Sequence, residues 1–411
     1  MKPTNIIKAA PTSPPGTPDS DSVTESKRTN ILYNPTFRSI TFQAIAILGL
    51  VYFFYTIVNN ALTNLDARGI STGFDFLSQE AGFGISMSLI EYNETFSYGH
   101  TFVVGLLNTA LVSVLGIIFA SILGFTVGVA RLSSNWLVNR IAAVYIEIFR
   151  SIPLLLQIFF WYFAVLQVLP SARQSLSLGE AIFLNVRGLY FPAPVFEPGS
   201  ELFLGTLIFG LVFSLIIHIW AKDKQERTGE QTPILRITLG LCIGLPGLVF
   251  LFSGMPVSAD LPVLKGFNFR GGISVIPELA ALLIALSIYT ASFIAEIVRS
   301  GINSVNHGQT EAALSLGLPA GKTLKLIIIP QAMKVIIPPL TNQFLNLTKN
   351  SSLAMAIGYP DLVSVFAGTT LNQTGQAIEI IAMTMAVYLA LSLVTSALMN
   401  IYNRKVALVE R

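Results

Sequence analysis

The chain has 411 residues, 53% hydrophobic and only 11% charged. A soluble domain carries about 25% charged residues, so composition excludes an ordinary soluble protein and points to a membrane protein. The 25 basic and 22 acidic residues nearly cancel, so the placement of charge says more than its sum.

In chain order, residues 1–38 come first (PTSPPGTPDSDSVTESKRTN at their centre). This Pro, Ser and Thr composition cannot bury a core and predicts a disordered tail. No apolar stretch precedes Ile40, so a signal peptide is not expected. A hydrocarbon core about 30 Å thick needs about 20 helical residues. Runs that satisfy this lie at roughly 39–59, 102–130, 138–168, 202–220, 234–253, 276–299, 333–357 and 377–402. The expected fold is an all-α integral membrane protein with about eight transmembrane helices. The run 333–357 is unusual, because it holds Lys334, Pro338, Pro339, Asn342, Gln343, Asn346, Lys349 and Asn350. Such backbone is tolerated at bilayer depth only where protein buries it or it lines a cavity.

Charge placement gives an orientation. On one side lie the tail, Arg131, Arg140, Lys222, Lys224, Arg227, Arg236, Arg299, Lys322, Lys325, Arg404, Lys405 and Arg411. Across the membrane only Arg68, Arg173, Arg187, Lys265 and Arg270 are expected. The positive-inside rule then puts both termini, and residues 300–330, in the cytoplasm. Eight crossings agree with that. The opposite loops, about 60–101, 169–201 and 254–275, are long, aromatic and Gly-rich. They read either as a docking surface for a soluble partner or as caps on the bundle.

Chemistry-bearing motifs are sparse. Cys242 is the only cysteine, which excludes a disulfide framework and a Cys-based metal site. His100, His218 and His307 are far apart and show no metal-ligand spacing. Gly317–Thr323 (GLPAGKT) has three residues between its glycines, where a phosphate-binding loop needs four, and no α/β domain surrounds it. Nucleotide binding by this chain is therefore not expected. The stretch 311–330, EAALSLGLPAGKTLKLIIIP, is the most polar and Gly/Pro-punctuated part of the second half. Glu311 to Leu316 are mostly good helix formers, and Gly317 and Pro319 stop the helix. Gly308, Ala312 and Leu316 share one face, whose small residues permit close approach of a partner. The other reading is an amphipathic turn on the lipid surface, but the segment lacks large apolar anchors and a basic face.

Glu311, Ala312, Ala313, Gly317, Ile327, Ile329 and Pro330 have the spacing of the EAA loop and resemble that of ABC importer permeases, with Ile329 where Leu is usual. The pieces FRSIPLLLQIFFWYF (149–163), YTASFIAEIVRSGINSVNHGQTEAA (289–313) and PQAMKVIIPPLTNQFLNLTKNSSLAMAIGYPDL (330–362) resemble the histidine/glutamine-type amino-acid permeases in the same order. The resemblance covers roughly 101–168 and 276–405, the two parts of a type I permease core. An extra first helix with its loop (39–100) and a two-helix insertion (169–275) look like the long permeases of general L-amino-acid importers. The resemblance implies an inner-membrane, non-catalytic permease subunit. The loop 307–330 would be a coupling helix seated on a cytoplasmic ABC ATPase dimer, with Glu311, Ala312, Ala313, Gly317, Leu318 and Pro330 as its contacts. A second, related permease would complete the pathway, and a periplasmic binding protein would deliver L-amino acids. ATP and magnesium would belong to the ATPase, with no cofactor on this chain.

Polar residues within the apolar runs are candidates for the pathway, since charges at bilayer depth cost about 2.5–3.5 kcal/mol and usually face the bundle interior. Glu147 and Arg150 are three apart, as are Glu296 and Arg299, a spacing at which helical pairs neutralise themselves. The alternative for the first pair is a polar site on a Pro153-kinked helix together with Gln157. Gln343, Asn346 and Asn350 lie on one helical face, with Lys349, Ser351 and Ser352 beside them. Carboxamides offer both donors and acceptors to a zwitterion, so this face is a candidate pocket; interhelical hydrogen bonding is the other reading. A secondary active transporter is the alternative function, but no repeat between halves and no acidic ion-coupling cluster is visible. A membrane enzyme would need a metal-ligand cluster or a nucleophile–base pair, and neither is seen.

Overall fold

The computed structural model describes residues 35–67 and 72–406. It divides into two units at residue 71. The first contributes one helix, α1 (Pro35–Ala67), whose candidate span Phe37–Ala61 is 25 residues long. Pro35 opens it, at a position where a missing N–H costs nothing, four residues before the expected boundary. Its described side chains are almost all exposed and mostly apolar. The tail expected to be disordered lies, up to residue 34, outside the described residues.

The second unit begins with α2 (Tyr98–Ala130), α3 (Trp136–Ser151) and α4 (Leu154–Phe159), which continues as a π-helical turn to Leu166. The insertion holds α5 (Ser200–Thr228), α6 (Ile234–Leu239) and α7 (Leu245–Phe252). Then come α8 (Pro277–Asn303), α9 (His307–Ser315), α10 (Ala320–Thr323), α11 (Ile329–Asn350), α12 (Leu371–Thr374) and α13 (Ala377–Val406). Among the described residues seven helical segments are long and apolar enough to cross a bilayer, and the bent α3–α4 pair makes an eighth. The eight expected runs are all found. The run expected from 333 is longer, because α10 and a π-helical turn (Leu324–Ile328) lead directly into α11.

The bundle is organised by α2 and α8, which share the largest helix–helix interface in the unit. Gly116, Ala120, Gly124 and Gly128 recur every four residues on α2 and face α8 and α11. Four-residue spacing makes one ridge of small side chains, which lets two backbones come close where lipid offers no hydrophobic drive between helices. A Cβ on Gly124 would sit 2.6 Å from Cβ of Ile294. The same Ile294 and Val298 join Ala120 of α2 and Ile336, Leu340 and Leu347 of α11 in one buried cluster.

The expected irregular loops on the side opposite α9 contain eight short strands. β1 (Leu176–Leu178), β2 (Ile182–Asn185) and β3 (Gly188–Phe191) form an antiparallel meander. After β4 (Ala193–Phe196) and the helical insertion come β5 (Val257–Asp260), β6 (Val263–Lys265), β7 (Asn268–Arg270) and β8 (Ile273–Val275). β8 pairs with β3, with Leu189 opposite Val275, so the sheet spans the insertion and closes its base. Stacked Phe183 and Phe269 and buried Tyr190 form its small core. The insertion helices pack on each other: Gly210 lies against the Leu241 backbone, and Ser214 donates to Thr238 at 2.9 Å.

Gly124→Leu is expected to destabilise the bundle by about 1–3 kcal/mol through overpacking. Gly205→Ala, with nothing within 4 Å of its new Cβ, is the control. Thermal unfolding of detergent-purified protein reads both, and equal midpoints would show that the α2–α8 approach is not required.

Candidate functional site

The α9 segment is built by local rules. Asn306 caps the helix, its side chain accepting from the Gly308 amide at 2.9 Å. The helix therefore starts at His307, one turn before the expected Glu311. Gly317 ends it with φ +74, a left-handed conformation that favours glycine. Two amides close the turn, Gly317 onto Leu314 O at 2.9 Å and Leu318 onto Ala313 O at 3.1 Å. Pro319 then caps α10.

The two faces of α9 differ. Ala313 is buried at 1% exposure, whereas Gly308, Glu311 and Ala312 are exposed and Leu316 is 80% exposed. The shared face of Gly308, Ala312 and Leu316 thus points away from its own chain. Glu311 accepts or shares a proton with His307 Nδ1 at 3.0 Å, both side chains remaining exposed. Behind α9 lies an open groove of about 1030 Å³ against the ends of α2, α3 and α8, lined by residues such as Val129, Val138, Ile302 and Leu324. Gln331, near the start of α11, donates to Gln309 of α9 at 3.2 Å. Pro330 occupies the first turn of α11.

The second set of candidates lies on the third candidate span and on α11. Pro153 breaks the third span, and α3 and α4 meet at 105°. A proline removes one helical hydrogen bond and displaces another. Gln157 answers the break: it is buried, and its Nε2 donates to Phe149 O and Ile152 O, both at 3.0 Å. Its position is explained by the carbonyls it satisfies. Glu147 and Arg150, on the preceding turns, are exposed. The i,i+3 ion pair expected between them is not formed among the described residues. Instead the Arg150 guanidinium lies 5.2 Å from the centroid of Phe293 on α8. The analogous pair does form in α8, where Arg299 Nε donates to Glu296 at 3.0 Å and a second bond makes the contact bidentate.

On α11, Leu340, Phe344 and Leu347 are buried, while Gln343 and Asn350 are half-buried and Asn346 and Lys349 exposed. The amide face is therefore left unfilled by its own chain. Arg150 and Gln343 line one pocket of about 310 Å³ with Phe293, Glu296 and Pro339. That is the small end of the range for ligand sites. An adjoining cavity of about 260 Å³ holds Glu147, Arg131 and Arg299, and again Arg150 and Glu296. The structure so brings together Glu147, Arg150 and Gln343. Asn346, Lys349 and Asn350 stand further along the same helix, outside both cavities, and Gln157 faces elsewhere. Among the described residues no group of three or more His, Cys, Asp or Glu is placed to hold a metal.

Residues 233–408 match the family described as binding-protein-dependent transport system inner membrane component. The chain is 56% identical over 378 residues to the putative amino-acid ABC transporter permease protein YhdX of Escherichia coli, covering 92% of this chain and 96% of that one. It is 50% identical over 380 residues to the general L-amino acid transport system permease protein AapQ of Rhizobium johnstonii, covering 92% and 95%. It is 41% identical over 421 residues to the glutamate/glutamine/aspartate/asparagine transport system permease protein BztB of Rhodobacter capsulatus, covering 93% and 96%.

Gln157→Leu leaves the two carbonyls at the break without donors, and an unsatisfied buried polar group costs about 1–3 kcal/mol. Asn346→Leu, on the exposed face, is expected to leave stability unchanged. Parallel thermal unfolding curves distinguish them, and equal loss in both would remove the special role of Gln157.

Proposed function

The chain belongs to the family of amino-acid ABC transporter permeases, and from that premise we propose how its two sites divide the work of ATP-driven import. The observation that carries the reading is the exposed small-residue face of α9, held out by an Asn cap and a left-handed glycine. A cleft on a soluble ATPase can approach the backbone at Gly308 and Ala312 closely, with Leu316 as the one large apolar side chain on that face. Glu311, Ala312, Gly317 and Leu318 make or shape that contact, while Ala313 anchors the helix to its own chain. In this reading α9 and both termini lie in the cytoplasm, as the excess of Lys and Arg on that side favours.

The pathway runs along the amide face of α11. Arg150, aromatic-backed and in no ion pair among the described residues although it shares its cavities with Glu147 and Glu296, offers a cation to a substrate carboxylate. Gln343, Asn346 and Asn350 offer amide donors and acceptors, which suit a zwitterion with a neutral or mixed side chain. That face is open in the single chain, so a second permease completes the pathway. A binding protein delivers the amino acid to the opposite side, where the strand-rich loops lie. This chain binds no nucleotide; ATP and magnesium act on the ATPase. BztB is named for glutamate and aspartate as well as for their amides, and both kinds of side chain suit a route that offers a cation and carboxamides.

In proteoliposomes containing the assembled importer, Gly317→Asp is expected to leave the permease in the membrane but weaken ATPase docking at least about tenfold, which is about 1.4 kcal/mol. Copurification of the ATPase and ATP-driven uptake read it. Normal uptake by that variant would overturn the docking assignment. Gln343→Leu with Asn350→Leu is expected to abolish uptake while the complex still assembles, and unchanged uptake would remove the amide face from the pathway.

A further inference from the structure

A polar notch lies outside both sites, between α11 and α13. Its cavity is about 250 Å³, lined by Thr341 and Asn342 of α11 and by Ser396, Asn400 and Asn403 of α13. The three α13 residues recur at i, i+4 and i+7, so they form one polar stripe on an otherwise largely apolar helix. Among the described residues Asn342, Ser396, Asn400 and Asn403 make no side-chain hydrogen bond, and the Thr341 hydroxyl turns back onto Ile337 O of its own helix at 2.9 Å. Both helices belong to candidate membrane spans, Ala320–Ile357 and Ala377–Val406. Hydrocarbon offers a carboxamide no partner, so a polar group from outside this chain has to meet the stripe.

The charges beside the notch say which group. Lys334 stands one turn before Pro338, on the α11 face that carries Pro338, Thr341 and Leu345. Arg404 and Lys405 follow Asn403 directly, in the last turn of α13. Lys334 is half-buried, and Arg404 and Lys405 are exposed. None of the three is in an ion pair among the described residues. Consecutive spans cross in opposite directions, so the residues before Pro338 and those after Asn403 lie at the same end of the notch. Three unpaired cations at one end and carboxamides above them complement an anion with further polar atoms behind it. In the orientation proposed above, that end meets the cytoplasmic leaflet, where anionic lipids lie and basic pockets between spans take their headgroups.

We propose that this notch holds the headgroup of an anionic phospholipid, with its phosphate at Lys334, Arg404 and Lys405 and its glycerol ester oxygens at Asn342, Asn400 and Asn403. Each carboxamide donates two N–H groups to such oxygens and keeps an acceptor for a headgroup hydroxyl. A helix of a second permease is the other polar source, but an acid on such a helix is itself costly at bilayer depth. A phospholipid brings its charge already placed at the interface. Bound there, the lipid bridges α11 to α13 at the base of the amide-bearing helix. The site goes beyond the importer reading and needs only that the chain spans a membrane.

The test titrates the full-length chain in neutral detergent with dioleoyl phosphatidylglycerol and, in parallel, with dioleoyl phosphatidylcholine, and reads retained lipid by native mass spectrometry. Phosphatidylglycerol should be retained several-fold more than phosphatidylcholine. Lys334→Gln and, separately, Lys405→Gln should each reduce that preference several-fold, either sufficing where the other does not fold. Lys222→Gln, at an exposed cation of the insertion, should leave it unchanged. Equal retention of both lipids by the unmodified protein overturns the proposal whether or not the variants fold. A preference that survives the site variants, or that falls equally in Lys222→Gln, also overturns it, because the lipid is then held by overall charge. Loss of the preference once the second permease is bound, with release of that permease by Asn400→Leu, gives the notch to the second permease and overturns the lipid assignment. Lipid retention is read without transport, so failure of the importer reading leaves the site standing, and failure of the site leaves the importer reading standing.

Discussion

Backbone amides and carbonyls freed by a helix break cannot turn to water at bilayer depth, and each unsatisfied group there costs several kcal/mol. The second unit depends on how its breaks are answered. At Pro153 the answer is one side chain, Gln157, which donates to two carbonyls across a 105° bend. After Asn350 it is distributed: Asn108, Thr109 and Asp361 take up Pro360 O, the Leu362 amide and the Ser364 amide in turn. Both breaks adjoin the polar residues of the proposed pathway. A straight helix exposes only side chains to a substrate, whereas a broken one allows sharp changes of direction and brings polar groups inward. The chain accepts the cost of those breaks where it needs a route through its interior.

Helix α11 links the two proposed sites mechanically. From Ala320 to Gln343 the chain is helical without interruption, through the π-helical turn at Leu324–Ile328. At about 1.5 Å per residue that is about 35 Å of continuous rod. Gln309 and Gln331 add a direct tie from α9 to its base. Displacement of α9 by a closing ATPase would then reach Gln343 as a rigid-body movement, with Val298, Ile336 and Leu340 of the buried cluster as the bearing surface. Pro338 and Pro339 lie within this rod, one turn below the amide face, where a change of bend re-aims Gln343 with least disturbance of the packed end.

Much of this was legible in the sequence, and the reasons are physical. Span length is set by the bilayer, so the eight apolar runs translate directly into eight candidate spans among the described residues, one of them the bent α3–α4 pair. The loop at 311–330 stood out because polar, Gly/Pro-punctuated residues interrupt that pattern. What stayed hidden depends on long-range contact. The strands of residues 176–275 are three or four residues each, and β3 meets β8 only after the whole insertion has intervened. No local period marks such a pairing. The α9 helix starts one turn before the expected Glu311 because the Asn306 side chain caps it. Asp361 gives no local sign either, since an acid beside a proline reads as a turn residue; only the fold shows that its carboxyl meets the Ser364 amide and the Tyr388 hydroxyl.

The Glu147–Arg150 spacing carries a further lesson about charge within apolar runs. Three-residue spacing served Glu296 and Arg299, which close a bidentate pair within α8. The same spacing on α3 produced no pair, because Phe293 offers Arg150 an alternative partner across the helix interface. A cation over an aromatic face is stabilised but keeps its N–H donors free, whereas a bidentate ion pair uses them. Local spacing therefore permits neutralisation without requiring it, and the packing partner decides. Of the three arginines that share a cavity with Glu296, Arg299 is held in the bidentate pair, while the Arg150 guanidinium lies over Phe293 and forms no ion pair among the described residues.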